Sequence, residues 1–176
     1  DHRDLHSFPT RRSSDLHPVE QVSFNDIMKP DGFIDRLSSQ SGREFSLPTE
    51  YQWEYACKSG TSSNYSYGST ADEKFMWYKD NSENSTHPVG SLSPNNWGIF
   101  DMHGNVSEIC IDRYTHEYRK KSDMPITVDS QSALYAIRGG SYCCHPDVCR
   151  SSARSSHRSD SRSPNIGFRV IMKITE

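Results

Sequence analysis

The chain has 176 residues, a formal net charge of −3 and a pI near 6.2, a length that suits one domain. Without excess positive charge it has no electrostatic footprint for nucleic acid, and no apolar run reaches the roughly 18 residues of a membrane span. Its apolar weight falls on nine Tyr, seven Phe and three Trp, which predicts a loop-rich fold anchored by aromatic side chains.

Residues 1–16, DHRDLHSFPTRRSSDL, lack the apolar core of a signal peptide and share neither the aromatic content nor the periodicity of the rest of the chain. Residues 6–16 resemble the frame translation of a sequencing adapter, so 1–16 is expected to be a non-native leader and 17–176 the domain proper. From His17, HPVEQVSF alternates apolar and polar residues and predicts an extended segment leading into a helix. After Pro30, the spacing of Phe33, Ile34 and Leu37 predicts a helix of two to three turns that stops at Gly42. In SLPTEYQWEYACKSG, Thr49 and Gln52 form a capping box, Trp53, Ala56 and Cys57 make a core-facing stripe, and Gly60 is the expected terminator.

Residues 61–84 are rich in Ser, Asn, Tyr and Gly, and predict a long irregular region held by Tyr65, Tyr67, Trp77 and Tyr78. In HPVGSLSPNNWGIFDMHGNVSEICIDRY, glycines and prolines recur too often for a regular helix. A polar linker over 115–132 then leads to LYAIRGGSY, a short strand, and NIGFRVIMKI is expected to close the chain as a hydrophobic strand.

Two stretches carry chemistry. In DMHGNVSE, Asp101 and Glu108 flank Gly104, whose turn can aim main-chain carbonyls inward, and hard oxygen donors of this kind suit calcium. In GGSYCCHPDVCR, a double glycine delivers Cys143, Cys144, His145 and Cys149, soft ligands for a metal or partners in redox chemistry. The cysteines number five with Cys57 and Cys110, so an all-disulfide framework is impossible. His87, His103 and His116 lack metal-ligand spacing and are read as hydrogen-bonded scaffold residues. The basic span with Arg154, His157, Arg158 and Arg162 is read as surface loop, or as a grip for an extended peptide.

Taken in order, HPVEQVSF, LPTEYQWEYA, YSYG, HPVGSLSPNNWGIFDMHGNVSE, RGGSY and NIGFRV resemble, block by block, the sulfatase-modifying-factor or formylglycine-generating family, over residues 17–170. The resemblance implies an α+β, C-type-lectin-like fold with little regular secondary structure, and the loss of opening strands that precede HPV. It implies a structural calcium on the side chains of Asp101 and Glu108 and the carbonyls of Gly104 and Val106. It also implies that Cys144 and Cys149 hold copper, that Ser141 helps bind the reacting group, and that His145 belongs to the catalytic motif. The implied reaction is oxygen-dependent oxidation of a cysteine in a sulfatase C-x-P-x-R segment to formylglycine, in an exported or cell-envelope setting in a bacterium.

Three departures support another outcome. The family's tryptophan two positions after the motif's asparagine is Ser107 here, and the arginine-tyrosine-arginine run after the second cysteine is absent. CRSSAR from Cys149 resembles branches without the copper pair, which often carry a cysteine at the position of Cys110. That resemblance implies a structural Cys149, partnering Cys110, in a non-catalytic binding or accessory domain.

Overall fold

The computed structural model describes residues 16–117 and 133–174. The expected leader, apart from Leu16, and most of the 115–132 linker lie outside the described residues.

Two short helices open the fold. Helix α1 (Phe24–Met28) starts at Ser23, which forms a reciprocal capping box with Asp26. Helix α2 (Phe33–Ser41) ends on Gly42 in the left-handed conformation, as the sequence predicts. Strand β1 (Phe45–Ser46) then leads to α3 (Glu50–Lys58), where the expected capping box is present: Thr49 Oγ1 accepts from Gln52 N–H and Gln52 Oε1 accepts from Thr49 N–H. Such a cap contributes about 1 kcal/mol. The left-handed stop is Ser59 (φ 44°) rather than Gly60, one position earlier than expected.

The sheet is built from β2 (Ser107–Arg113), β3 (Leu134–Arg138), β4 (Ser155–Arg158) and β5 (Ile166–Gly167), in the order β4-β3-β2-β5. Contacts within it are antiparallel except for β2 with β5, which run parallel. A two-residue strand β6 (Ile171–Met172) pairs with β1. The expected single closing strand is therefore two pieces, because Arg169 turns between them to bind Glu108.

Strand periodicity assigns the two sheet faces. Ile109 and Ile111 of β2 and Tyr135 and Ile137 of β3 join Phe24 and Ile27 of α1 and Ile34 of α2 in one cluster. The intervening Cys110 and Ala136 join Trp53 and Cys57 of α3 in another, on the opposite face. A third cluster, Tyr65, Met76, Tyr78 and Cys149 with Tyr67 and Cys144, lies in the irregular part of the chain. It is this aromatic-walled region, not the sheet, that receives the cysteine loop.

Arg138, at the end of β3, is fully buried and binds Glu54 on α3, with Glu50 at 3.5 Å. Arg154 completes the network, its Nε 2.5 Å from Glu50. The network locks α3 onto the sheet just before the chain enters the cysteine loop.

Candidate functional site

The loop from β3 to the 3₁₀ turn Pro146–Cys149 is fastened by main-chain bonds. Gly104 N–H donates to Gly139 O (2.8 Å), Tyr142 N–H to Asn105 O (2.8 Å) and Lys79 N–H to Cys144 O (3.0 Å). Ser82 Oγ donates to Tyr142 O and Tyr65 Oη to Pro146 O, each at 2.8 Å. Gly140 is required here: its φ is +67°, and a Cβ would stand 2.6 Å from Cys149 Sγ. The double glycine thus lets the chain pass directly over the thiol that the loop carries.

All five cysteines are free. Cys149 is fully buried and shares a cluster with Cys144, whereas Cys110 sits with Trp53 and Cys57 in a different one. The anticipated Cys110–Cys149 partnership is absent. Ser141, also fully buried, places its Oγ 3.2 Å from Cys144 Sγ and 3.3 Å from Cys143 Sγ. Burial pushes the Cys149 thiol up to about 12, with the neighbouring Cys144 adding to the effect. Burial likewise raises Cys57 to about 12 and Cys110 well above its ordinary value.

His103 is a scaffold residue, as the sequence predicts, and its partners show what it supports. Its Nδ1 donates to Cys149 O (2.8 Å), while Nε2 accepts from Ser66 N–H (3.1 Å). These bonds define the neutral Nδ1–H tautomer. The ring meets Tyr65 and Tyr67 edge-on, and burial lowers its pKa to about 4. His87 is also scaffold, stacked on Trp77 with centroids 3.8 Å apart.

His145 is exposed, and its Nε2 faces Lys79 Nζ at 3.3 Å. Arg154 binds Glu50 and Arg162 binds Asp26, so these two arginines of the basic span brace the fold. Sequence reasoning does not find Glu50, Arg138, Lys79, Ser82 or Asn165, whose roles depend on distant partners. RGGSY is the one local signal that these segments meet a close-packed backbone.

Asp101, Val106 and Glu108 line one cleft of about 630 Å³ together with Arg169. Arg169 donates to both carboxylate oxygens of Glu108, and Trp53 Nε1 donates to Oε2. Asp101 accepts from Gly90 N–H (2.7 Å), yet burial raises its carboxyl pKa, with Gly90 and Arg169 opposing the rise and Glu108 adding to it. Gly104 has φ +76°, and a Cβ there would strike the Trp77 carbonyl. Of the expected calcium ligands, Asp101, Val106 and Glu108 share this cleft and Gly104 does not line it; both Glu108 oxygens are already held by Arg169, which leaves Asp101 as the carboxylate there that could meet a hard cation. Arg169 already neutralises Glu108, so such an ion would act chiefly on Asp101.

Among the described residues no three His, Cys, Asp or Glu side chains converge as metal ligands. Cys144 packs against the cluster that contains Cys149, so the two cysteines that the family resemblance assigns to copper lie in one part of the fold, and two thiols are a donor set compatible with a soft, low-coordinate ion.

Comparison with known proteins agrees with the residue pattern. The sulfatase-modifying factor enzyme 1-like domain matches residues 2–174. The chain is 35% identical to the formylglycine-generating enzyme of Streptomyces coelicolor, over 87% of this chain and 52% of that protein. It is 30% identical to that of Mycobacterium tuberculosis, over 93% and 61%. The chain thus spans little more than half the length of these relatives. Among solved structures, PvdO from Pseudomonas aeruginosa superposes with a TM-score of 0.80 at 28% identity, covering 99% of this chain and 70% of that one. Treponema denticola variable protein 1 (TM-score 0.74, 24% identity, 94% and 75% covered) shares the fold.

Proposed function

Because the chain belongs to the sulfatase-modifying factor family, whose α+β fold it has, we propose that it is a formylglycine-generating oxidase domain acting on a cysteine in a sulfatase C-x-P-x-R segment. The observation that supports this reading is that Cys149 lies in the cluster against which Cys144 packs and not in that of Cys110, with both thiols free.

In this reading Cys144 and Cys149 hold a cuprous ion, which supplies dioxygen chemistry at the substrate's β-carbon. Cys149 anchors the site from its buried side, fixed through its carbonyl by His103. Cys144 is half-buried and therefore faces the incoming thiol. Ser141 Oγ holds the Cys144 sulfur by a hydrogen bond at 3.2 Å and orients it toward that approach. Tyr65, Met76 and Tyr78 wall the buried side against water. A structural calcium at the positions the family resemblance implies, Asp101, Gly104, Val106 and Glu108, would rest chiefly on Asp101 because Arg169 holds Glu108, and would brace the neighbouring turn; the setting is an exported or cell-envelope one in a bacterium.

The test is anaerobic Cu(I) titration of the chain against a chromophoric chelator, followed by aerobic turnover of a C-x-P-x-R peptide read by mass. Binding lost on Cys144→Ala and aldehyde formation dependent on copper are expected. Tight copper binding by Cys144→Ala would overturn the assignment and leave the non-catalytic binding domain as the better reading.

A further inference from the structure

Within GGSYCCHPDVCR the Cys144/Cys149 pair leaves one thiol unused. Cys143 is the exposed cysteine of the chain, adjacent to half-buried Cys144. Its sulfur lies 3.3 Å from Ser141 Oγ, and the Cys144 sulfur lies 3.2 Å from the same oxygen. A hydroxyl has one proton, so it donates to one sulfur while the other thiol donates to it. Two sulfurs therefore converge on one buried oxygen. Asn165 reinforces the cluster, its Nδ2 3.5 Å from Ser141 Oγ and 3.6 Å from Cys143 Sγ.

This cluster is preorganised from behind and open in front. The turn bond from Cys144 N–H to Ser141 O (3.0 Å) and the bond from Lys79 N–H to Cys144 O fix the backbone that carries both thiols. Cys149 has no such access: it is fully buried beneath Gly140. An ion arriving from solvent meets Cys143 and Cys144 first.

We propose that Cys143 and Cys144, around the Ser141 hydroxyl, form a second, solvent-facing dithiol site that captures a soft monovalent cation, the cuprous ion, and passes it to the Cys144/Cys149 pair. Two thiolates and a neutral hydroxyl match a soft ion of low coordination number, and fall short of the four ligands of a structural zinc site. Transfer is a ligand exchange with no change of oxidation state. On capture Cys143 and Cys144 give up their thiol protons to solvent; on transfer Cys144 stays bound, Cys149 gives up its proton as it binds, and Cys143 leaves as a thiolate and takes up one proton, so no net proton is released in the transfer. Only the destination of the ion rests on the functional reading above; capture by Cys143 and Cys144 does not.

The experiment uses silver(I) as a redox-inert probe on the full chain. Native mass spectrometry gives stoichiometry, and stopped-flow transfer from a chelator gives the loading rate. Cys143→Ser is expected to keep one equivalent but load roughly tenfold more slowly, because the accessible sulfur is gone. Cys149→Ala is expected to keep one equivalent on the surface pair, and the double variant to bind none. Unchanged loading by Cys143→Ser, or no binding by a folded Cys149→Ala, overturns the proposal. Failure of the buried pair reads differently: Cys143→Ser then binds nothing while Cys149→Ala still binds. Should Cys149→Ala not fold, pulsed alkylation of the unmutated chain decides: one equivalent of silver must protect Cys143 in the first moments of loading and release it once the ion has moved on, and undiminished early labelling of Cys143 overturns the capture site.

Discussion

His103 Nδ1 donates to the main-chain carbonyl of Cys149 at 2.8 Å, so a buried imidazole holds the backbone of the buried thiol from 46 residues away in sequence. Opposite that bond, Nε2 takes the Ser66 N–H, and the ring has no free nitrogen left for a proton. The cysteine loop and the aromatic loop are thereby one unit.

That arrangement makes stability depend on pH. The His103 pKa is lowered by burial from 6.5 to about 4, so between those values the unfolded chain binds a proton that the folded chain refuses. The contribution of His103 to stability is complete above pH 6.5 and declines as pH falls toward 4, by a total on the order of 3 kcal/mol. Urea unfolding at pH 7.5 and 4.5 measures the slope. His103→Asn, which removes the titrating group, should flatten it, and an unchanged slope in that variant would count against His103 as the source.

Arg138 carries a second prediction. Its side chain is fully buried between Glu50 and Glu54 and its guanidinium lies 5.4 Å from the centre of the Trp53 ring. Arg138→Ala removes the buried cation between Glu50, which keeps Arg154, and Glu54, which keeps Lys58, and should cost about 3 kcal/mol, the low end for a broken buried pair. Chemical denaturation provides the value; a loss below about 1 kcal/mol, the range of an exposed pair, would mean that the carboxylates find water.

The two buried cysteines of the competing readings should separate cleanly. Cys110→Ser places a hydroxyl in the Trp53 and Met102 cluster, and should lower stability by about 1–3 kcal/mol without altering Cu(I) affinity. Cys149→Ala, studied with Cys143→Ser, should abolish that affinity. Equal affinities across both would remove Cys149 from the site.

Calcium is testable through Asp101. Burial raises its folded pKa, so the ionised carboxylate lowers stability as pH rises through its titration. Asp101→Asn tolerates the backbone there (φ 55°), and should raise the melting temperature in chelator. Added calcium should raise the melting temperature of the unmutated chain and leave that of the variant unchanged. A shift of equal size in both places the ion elsewhere.

Local signals carried the parts of the fold that depend on neighbours in sequence. The Thr49–Gln52 box, the stop at Gly42 and the Trp53–Cys57 stripe all form as the residue pattern predicts. What the sequence left dark depends on separation. Glu50 and Arg154 meet across 104 residues, and no local periodicity encodes such a pair. The closing segment reads as one hydrophobic strand because its composition is continuous, yet Arg169 leaves it to reach Glu108. At the site, Ser141 Oγ lies 3.2 Å from Cys144 Sγ and Cys144 packs against the cluster of Cys149, whereas His145 faces Lys79. The partition of Cys110 from Cys149 is a consequence of strand parity and loop path, which cysteine counting cannot supply.

The unequal burial of the thiols also makes the chain its own conformational reporter. Cys143 is exposed and Cys144 half-buried, while Cys57, Cys110 and Cys149 are wholly enclosed. A chromogenic thiol reagent should therefore count two groups quickly on the native protein and five after denaturation, and the interval between those counts measures how often the interior opens.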